Sequence, residues 1–473
     1  MLIMKRESVV YVAVLLLSLA IASMTKNLFM PNTGDFGRVI GWYLSSNLSD
    51  GQYFTLKIGD ISAHNFMRGF DYKSSYTLLI YCYAVFLSYF TDVFDLRLLS
   101  AILKIIYIFS LFFLFSKAMD LNIRTPLLKF VVFLIAITPC ISSSNLAFFS
   151  SFYQEQVVLI CLPILLLCLI ADKERYFLII VAAVTIISCS KSQFFYFPII
   201  IAIYYWLYKD RDIKKIIVMV SVFVLACTAI IKTNGTTELN RYHATYFGIY
   251  QLAEINGHGF PESVKKTCVG IDAWGNKFNL EYGAVPTEKG MACYNELKDK
   301  VSFLDVIAFF IKKPQLIFTL PFDKGVSTQL SENYFHVYFS YKVIGNNTGA
   351  LANVTIIKDA LFDGNRLPAL FLVLPLSIIL RKKRTSGACF ILASFAITQF
   401  YISFIGEGYR DLSKHLFAMN FAFDLMVSIL TVVCVGNVIN KIAIMRASNN
   451  IYKQTGQILP KANHCNGAES TRT

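Results

Sequence analysis

Long apolar runs recur along this chain, and they constrain its fold more than any other feature. Most are roughly 16 to 22 residues long, the length that a helix needs to cross about 30 Å of hydrocarbon. Apolar residues make up 56% of the sequence and charged residues 16%, so a water-soluble fold would lack the polar surface to cover itself. The sequence therefore predicts an all-α polytopic membrane protein. Eleven runs are candidates: 8–24, 76–94, 98–116, 126–143, 156–171, 176–190, 195–208, 214–231, 367–380, 386–405 and 416–437.

Basic clusters between the runs predict which side of the membrane each segment faces. The formal net charge is +14, but Lys and Arg lie between apolar runs, which is typical of cytoplasmic loops and not of a nucleic-acid-binding face. The segments predicted to be cytoplasmic are 1–7, 117–129, 172–176, 209–215, 381–385 and the C-terminal tail. Both termini are then cytoplasmic in a bacterial inner membrane. The segments predicted to be periplasmic are 25–75, 144–155, 232–366 and 406–415, with the short kink 191–194.

The number of membrane crossings between two segments must be odd when they lie on opposite sides of the membrane and even when they lie on the same side. Two apolar runs separate the outside loop 25–75 from the inside segment 117–129, although an odd number of crossings is required. The tyrosine-rich run 76–94 is the better candidate for a re-entrant or interfacial helix, which leaves about ten transmembrane helices. The chain then divides into an N-terminal membrane domain (1–231), a mixed periplasmic loop domain (232–366), C-terminal membrane helices (367–440) and a basic cytoplasmic tail (441–473).

The cysteines predict one disulfide. Eight of the eleven cysteines lie within or at the ends of apolar runs, where they act as small buried hydrophobes. Cys268 and Cys293 are the two in the long outside segment, and an oxidising periplasm favours joining them. Metal-binding Cys or Cys/His spacing is absent from the sequence, and we expect no metal or other cofactor.

Two acidic residues stand at predicted outer membrane surfaces. Asp35, in the stretch NTGDFGR, can act there as a general base, or it can simply cap a helix that begins at Phe36. Glu155, in SFYQEQ, lies at the mouth of the run 156–171, where it can serve chemistry or compensate the helix dipole. Tyr153 beside it is either a substrate contact or an interfacial anchor.

The short outside hairpin 406–415 carries an unusual density of charge. Its basic residues run against the positive-inside bias, so an anionic ligand such as a lipid phosphate explains them better than topology does. A salt-bridge cluster among its own acidic and basic residues is the alternative. The candidate binding residues here are Glu407, Tyr409, Arg410, Asp411, Lys414 and His415.

The long outside segment mixes aromatic residues with carboxylates and cations. A sugar site needs this mixture, because pyranose faces stack on rings while hydroxyl groups form hydrogen bonds. For Trp274 a place in the core of the loop domain is an equal alternative. The candidates are Tyr242, His243, Asp272, Trp274, Lys277, Asp323, Lys324 and His336.

Several long motifs in one order resemble a known family. The stretches NTGDFGR, SFYQEQ, ELNRYHATYFG, CVGIDAWGNKF, LPFDKGV, ENYFHVY and GEGYRDLSKHLF resemble the prophage-encoded serotype-converting O-antigen glucosyltransferases of Gram-negative bacteria. The likeness extends to about Ser448. It implies a GT-C-like membrane glycosyltransferase that moves glucose from undecaprenyl-phosphate-glucose to O-antigen repeat units of lipopolysaccharide. It also implies that Asp35 and Glu155 are the acidic residues of the first and second outer positions.

This resemblance suggests a mechanism and its partners. Asp35 would take the proton of an acceptor hydroxyl, and cations would stabilise the departing lipid phosphate, with inversion at the anomeric carbon. The candidate cations are Arg38, Lys191, Arg410 and Lys414. A flippase and a glucosyl-lipid synthase are possible partners, and nucleic acid is not expected. An O-antigen polymerase or ligase, or a transporter or flippase of lipid-linked sugars, is the alternative, although the paired repeats of transporters are absent from the sequence.

Overall fold

The computed structural model describes residues 2–28, 39–40, 43–45, 54–61, 73–119, 126–231, 237–273, 288–332, 334, 349–410 and 412–455. Most of these residues are helical, which agrees with the predicted helical membrane class. Five helical stretches are long and apolar enough to cross a membrane: Glu7–Met24, Leu96–Ala118, Ile213–Ile230, Ser386–Glu407 and Phe417–Ile442. One bent helix pair raises that number to at most six. About ten crossings therefore remain a prediction.

The N-terminal part contains nine α-helices in its described residues. They are α1 (Leu2–Met24), α2 (Ser75–Ser88), α3 (Leu96–Ala118), α4 (Pro126–Ala136), α5 (Ser143–Ala147), α6 (Gln156–Ala171), α7 (Phe177–Ser188), α8 (Phe197–Tyr208) and α9 (Ile213–Ile231). Helix α3 packs between α1 and α6, and α8 packs on α9. The beginning of α3 is fixed by Asp95, whose carboxylate accepts the Arg97 amide at 2.8 Å.

Several apolar runs form shorter helices than their length predicts. The run 126–143 breaks after α4 because Pro139 lies in a 3₁₀ turn, and the Ser142 side chain then caps α5. Helices α7 and α8 have 12 residues each. The run 76–94 forms α2, whose 14 residues extend about 21 Å, less than the hydrocarbon thickness.

A small antiparallel sheet joins the first loop to α3. Strands β1 (Leu44–Ser45), β2 (Thr55–Ile58) and β3 (Val93–Asp95) lie in the order β1-β2-β3, and Leu56 pairs with Phe94. Leu56 and Phe94 are buried, while the alternate residues Thr55 and Lys57 are exposed, the period-two pattern of a half-buried strand. The sequence analysis did not predict these strands.

The long segment after α9 is helical where the structure describes it. It contains α10 (Thr237–Ala244), a π-helical turn (Thr245–Ile249), α11 (Tyr250–Ile255), α12 (Glu288–Leu297), α13 (Phe303–Lys312), α14 (Gln315–Thr319), α15 (Lys324–Ser327) and α16 (Ala350–Phe362). The structure shows no strand in residues 237–273, 288–332 and 349–366. The prediction of a domain that mixes helices with strands is therefore wrong for these residues. At the start of α13, Ser302 and Asp305 form a capping box. Val306, Phe309 and Phe310 form the buried face of this helix. The capping residues and the apolar spacing both favour a helix in this segment.

The C-terminal helices are α17 (Arg366–Ile379), α18 (Ser386–Glu407), α19 (Leu412–His415) and α20 (Phe417–Thr455). Helices α16 and α17 are bent by 72° at residues 363–365, where Gly364 has φ +70°. The domain boundaries predicted at 366/367 and 440/441 stay predictions. Helix α17 begins at Arg366, and α20 continues without a break through residues 440 and 441.

Cys268 and Cys293 form the disulfide that the sequence predicts, with Cα atoms 5.8 Å apart. We expect Cys268→Ser combined with Cys293→Ser to lower the midpoint of thermal unfolding, because a loop of this size is typically worth about 3 kcal/mol. The control is Cys82→Ser, at an exposed free cysteine. Two thiols titratable in the folded, unreduced protein at positions 268 and 293 would contradict the pairing.

Candidate functional site

Polar side chains from distant parts of the chain meet at one end of α6, α8 and α18. Glu155 immediately precedes α6, Lys191 and Gln193 precede α8, Glu407 ends α18, and His415 ends α19. These five residues are called the Glu155 cluster. Sequence reasoning had singled out all of them except Gln193.

The Glu155 cluster is a continuous chain of contacts. The Lys191 ammonium group forms an ion pair with Glu155 and lies 3.3 Å from His415 Nδ1. The Gln193 amide nitrogen lies 2.8 Å from the same Nδ1. Because both neighbours are donors, Nδ1 must accept, and Nε2–H donates to Glu407 Oε2 at 2.7 Å. His415 thus links the Lys191–Glu155 pair to Glu407.

The Glu155 cluster is mostly buried and is held by uncharged polar groups. The side chains of Glu155 and His415 are 2% and 3% exposed, and those of Lys191 and Glu407 are 11% and 16% exposed. Three partners outside the cluster orient it: Asn240 donates to Glu407 Oε1, and Gln399 and Ser403 donate to the His415 carbonyl, each at 3.2 Å. Sequence reasoning missed these partners. Gln399 and Ser403 lie four residues apart in an apolar run, a polar helix face that could have revealed them.

The structure shows the contacts of two residues for which the sequence left alternatives. Glu155 occupies the N-cap position of α6 but makes no side-chain capping hydrogen bond. Its carboxylate instead binds Lys191. Tyr153 is 1% exposed and packs on Phe148, with the Lys414 ammonium 5.7 Å from its ring centroid. Tyr153 therefore packs inside the protein, and its role in substrate binding stays a prediction.

A second polar group adjoins the same hairpin. Asp272 is fully buried, binds the Arg410 guanidinium and lies 3.0 Å from His243 Nε2. The Tyr242 hydroxyl donates to the Ile271 carbonyl at 3.2 Å, and burial raises the pKa of Tyr242. Asp272 follows Cys268 by four residues, so the disulfide lies beside it. Arg410 thereby tethers the hairpin 406–415 to the long segment.

Two glycines let the hairpin approach the π-helical turn. The Tyr409 amide donates to the Phe247 carbonyl at 3.1 Å. Gly408 has φ +64°, and a Cβ there would lie 2.6 Å from the Gly248 Cα atom. Only glycine fits both the backbone conformation and the space.

The other predicted site residues are Asp323 and Lys324, of which Asp323 contacts the Tyr409 side chain of the hairpin, and six residues outside the described part of the chain. Asp323 caps α15 by accepting the Val326 amide at 3.0 Å, and burial raises the pKa of its carboxyl. Lys324 follows it and is exposed. Their role in substrate binding stays a prediction. The residues outside the described part of the chain are Asp35, Arg38, Trp274, Lys277, His336 and Asp411.

Sequence reasoning missed a buried ionic network at the α16–α17 bend. It consists of Glu332, Lys358, Asp359, Arg366 and Asp424, and is called the Lys358 network. Lys358 Nζ lies 2.7 Å from Glu332 and 2.5 Å from Asp424. Arg366 contacts Glu332 at 3.3 Å and Asp359 at 2.9 Å.

Polar partners extend the Lys358 network to the α5 region. Ser144 donates to Glu332 at 2.5 Å, and the Asn145 amide donates to Asp424 at 2.9 Å. Burial alone would raise the pKa of the Glu332 carboxyl, but Lys358 and Arg366 hold it below its usual range. The network therefore joins α5, α16, α17 and α20. Among the residues that the structure describes, no three His, Cys, Asp or Glu side chains converge to hold a metal ion.

Comparisons with known proteins place the chain in a family. The model of the YfdI N-terminal transmembrane domain matches residues 3–320 and 369–457. A relative from Escherichia coli (strain K12), named uncharacterized protein YfdI, is 40% identical over 426 residues, which cover 89% of this chain and 95% of the relative. No solved structure matches the chain. Together with the apolar helices, these matches show a membrane protein that belongs to the YfdI N-terminal transmembrane domain family.

Proposed function

We propose that this protein is an inverting, GT-C-like glycosyltransferase. It transfers glucose from undecaprenyl-phosphate-glucose to O-antigen repeat units on the periplasmic face of the inner membrane. The observation that carries the proposal is the Glu155 cluster, in which two carboxylates, one ammonium group and a histidine from separate segments meet at one end of the helices. Ionisable side chains at the ends of membrane helices are costly to bury, so they are usually paired with one another and found at functional sites.

The reaction requires a base and a stabilised leaving group. The acceptor hydroxyl oxygen bonds to the anomeric carbon, its proton passes to the Asp35 carboxylate, and the bond from that carbon to the phosphate oxygen breaks. The polyprenyl phosphate leaves with the electron pair, and Lys191 and Lys414 offset its charge. Glu155 acts in this scheme by holding the Lys191 ammonium group in place.

Comparison of lipopolysaccharide from cells with and without this gene tests the reaction. We expect the gene to add one hexose per O-antigen repeat unit, detected by mass and linkage analysis, with no change in the number of repeats. A changed chain length without added hexose would instead support a polymerase or ligase. Purified protein that moves glucosyl lipid across vesicles but transfers no glucose would support a flippase.

The proposed arrangement has about ten crossings, with both termini in the cytoplasm and residues 232–366 in the periplasm. We expect reporter fusions at Gly257 and Lys453 to give opposite signals, with periplasmic alkaline phosphatase active at Gly257 only. Equal signals at both positions would overturn the assignment of sides.

A further inference from the structure

A large cleft lies at the opposite end of the helices that carry the Glu155 cluster. It has a volume of about 970 Å³ and is lined by the last residues of α6 and α8 and by the α17–α18 connection. Helix α6 has 16 residues and α18 has 22, so the cleft lies about 24 to 33 Å from the Glu155 cluster along the helix axes. It is therefore a separate site, on the side predicted to be cytoplasmic.

The cleft has a strong excess of positive charge. Two acidic residues, Asp172 and Asp210, line it together with six basic ones. Lys209 pairs with Asp172 at 2.6 Å, whereas no carboxylate of the described residues forms an ion pair with the basic residues at 381–383. The six basic residues are Lys209, Arg211, Arg381, Lys382, Lys383 and Arg384.

Aromatic rings line the same cleft as these cations. The Arg211 guanidinium lies 4.7 Å from the Trp206 ring centroid, and the indole is 47% exposed. The Tyr208 hydroxyl donates to the Ser377 carbonyl at 2.9 Å. Gly387 faces the Tyr204 ring so closely that a Cβ there would collide with it. Indole and phenol groups of this kind favour the headgroup level of a bilayer.

The backbone of the cleft is also unusual. Asp172, Asp210 and Arg211 have φ values of 52°, 47° and 59° and are the non-glycine residues of the described chain with positive φ. All three line this cleft. Left-handed backbone at a residue such as arginine is uncommon, and strained residues concentrate at ligand sites. At Asp172 the left-handed backbone is the C-cap that ends α6, so the uncommon conformations are those of Asp210 and Arg211.

We propose that this cleft binds the phosphodiester headgroup of an anionic membrane phospholipid. The basic residues at 381–383 supply charge for the phosphate, and Trp206 supplies an amphipathic wall. Ile203 and Leu380, 43% and 50% exposed, lie next in the chain to the cleft residues Tyr204 and Arg381 and offer an apolar surface to the acyl chains. Basic pockets between membrane helices bind such headgroups by this combination. The proposal is independent of glucosyl transfer.

Native mass spectrometry of the full chain in detergent tests the site. The protein is incubated with equal amounts of phosphatidylglycerol and phosphatidylcholine, and the ratio of the two bound lipids is measured. We expect wild type to favour phosphatidylglycerol. In the cleft variant Arg381→Gln/Lys382→Gln/Lys383→Gln, the ratio of bound phosphatidylglycerol to bound phosphatidylcholine should be about tenfold lower. The matched control, Lys173→Gln/Arg175→Gln/Lys214→Gln, removes the same charge from exposed residues outside the cleft and should retain the wild-type ratio. Equal losses in the two variants would overturn the proposal.

Two further measurements complete the test. Glycerol phosphate at millimolar concentration should not displace the bound lipid, and displacement would show a site for soluble phosphates instead. In vesicles, brominated phosphatidylglycerol should quench the fluorescence of wild type more than brominated phosphatidylcholine does, and Trp206→Phe should remove the difference. This measurement does not depend on the folding of the charge variants. An unchanged difference in Trp206→Phe would exclude the cleft as the lipid site.

Discussion

Asp35→Asn and Glu155→Gln are each expected to reduce glucosyl transfer by about 10² to 10⁴-fold while the protein remains in the membrane at normal abundance. For Asp35 the reason is the loss of the group that accepts the hydroxyl proton. For Glu155 the reason is structural, because its carboxylate forms the ion pair that holds Lys191. Glutamine keeps the shape of glutamate but leaves the buried ammonium group without its counter-charge. Glucosylated O-antigen, measured at matched protein levels, is the readout.

A matched substitution controls for the loss of a glutamate. Glu174 pairs with Lys215 at 2.7 Å and is 81% exposed, so Glu174→Gln should leave transfer unchanged. If Glu155 only compensated the dipole of α6, its replacement would cost about 1 kcal/mol or less of stability and leave substantial activity. Near-normal product from both Asp35→Asn and Glu155→Gln would refute the proposed site, and Glu407 would become the next carboxylate to replace.

Lys358→Met is expected to destabilise the folded protein by about 3 to 5 kcal/mol, because it leaves buried carboxylates without their cation. Lys358 is 4% exposed, and Glu332 and Asp424 are 2% and 1% exposed. The variant should accumulate poorly and lose its monodisperse elution in detergent at a lower temperature than wild type. Thermal stability followed by size-exclusion chromatography measures the change.

Two variants separate the network from a general effect of losing a lysine. Lys289→Met, at an exposed position, should behave like wild type. Adding Asp424→Asn to Lys358→Met should recover part of the stability, because the second change removes one of the uncompensated charges. A Lys358→Met protein as stable as wild type would show that the network contributes little.

The fold class could be predicted because apolar length alone decides whether a helix suits a bilayer. The break at Pro139 could not, since it depends on a local turn and a cap inside an otherwise apolar run. The break between α7 and α8, in contrast, was predictable. The predicted runs 176–190 and 195–208 flank it, and in the structure Ser188 ends α7 and Phe197 begins α8. The number of crossings stays a prediction.

The sequence identified the charged residues of the candidate site, but it did not predict which of them contact each other. Lys191, Glu407 and His415 stood out because charge near apolar runs is rare. Their contacts join residues up to 224 positions apart, and such long-range pairing has no local signal. The Lys358 network was not predicted for a related reason, because Lys358 lies in a segment that was interpreted as a periplasmic loop. Asp424, an acidic residue within an apolar run, was the signal that could have revealed it.

The close approach of Gly408 to Gly248 has a consequence for genetics. A random mutagenesis screen for inactive variants will recover substitutions at Gly408 together with those at the ionisable residues of the site. The glycine changes act by displacing the hairpin, since an added Cβ meets backbone atoms that cannot move aside. Suppressor mutations should therefore distinguish the two classes, arising for the glycine variants in the facing 245–249 turn and not for the lost carboxylates.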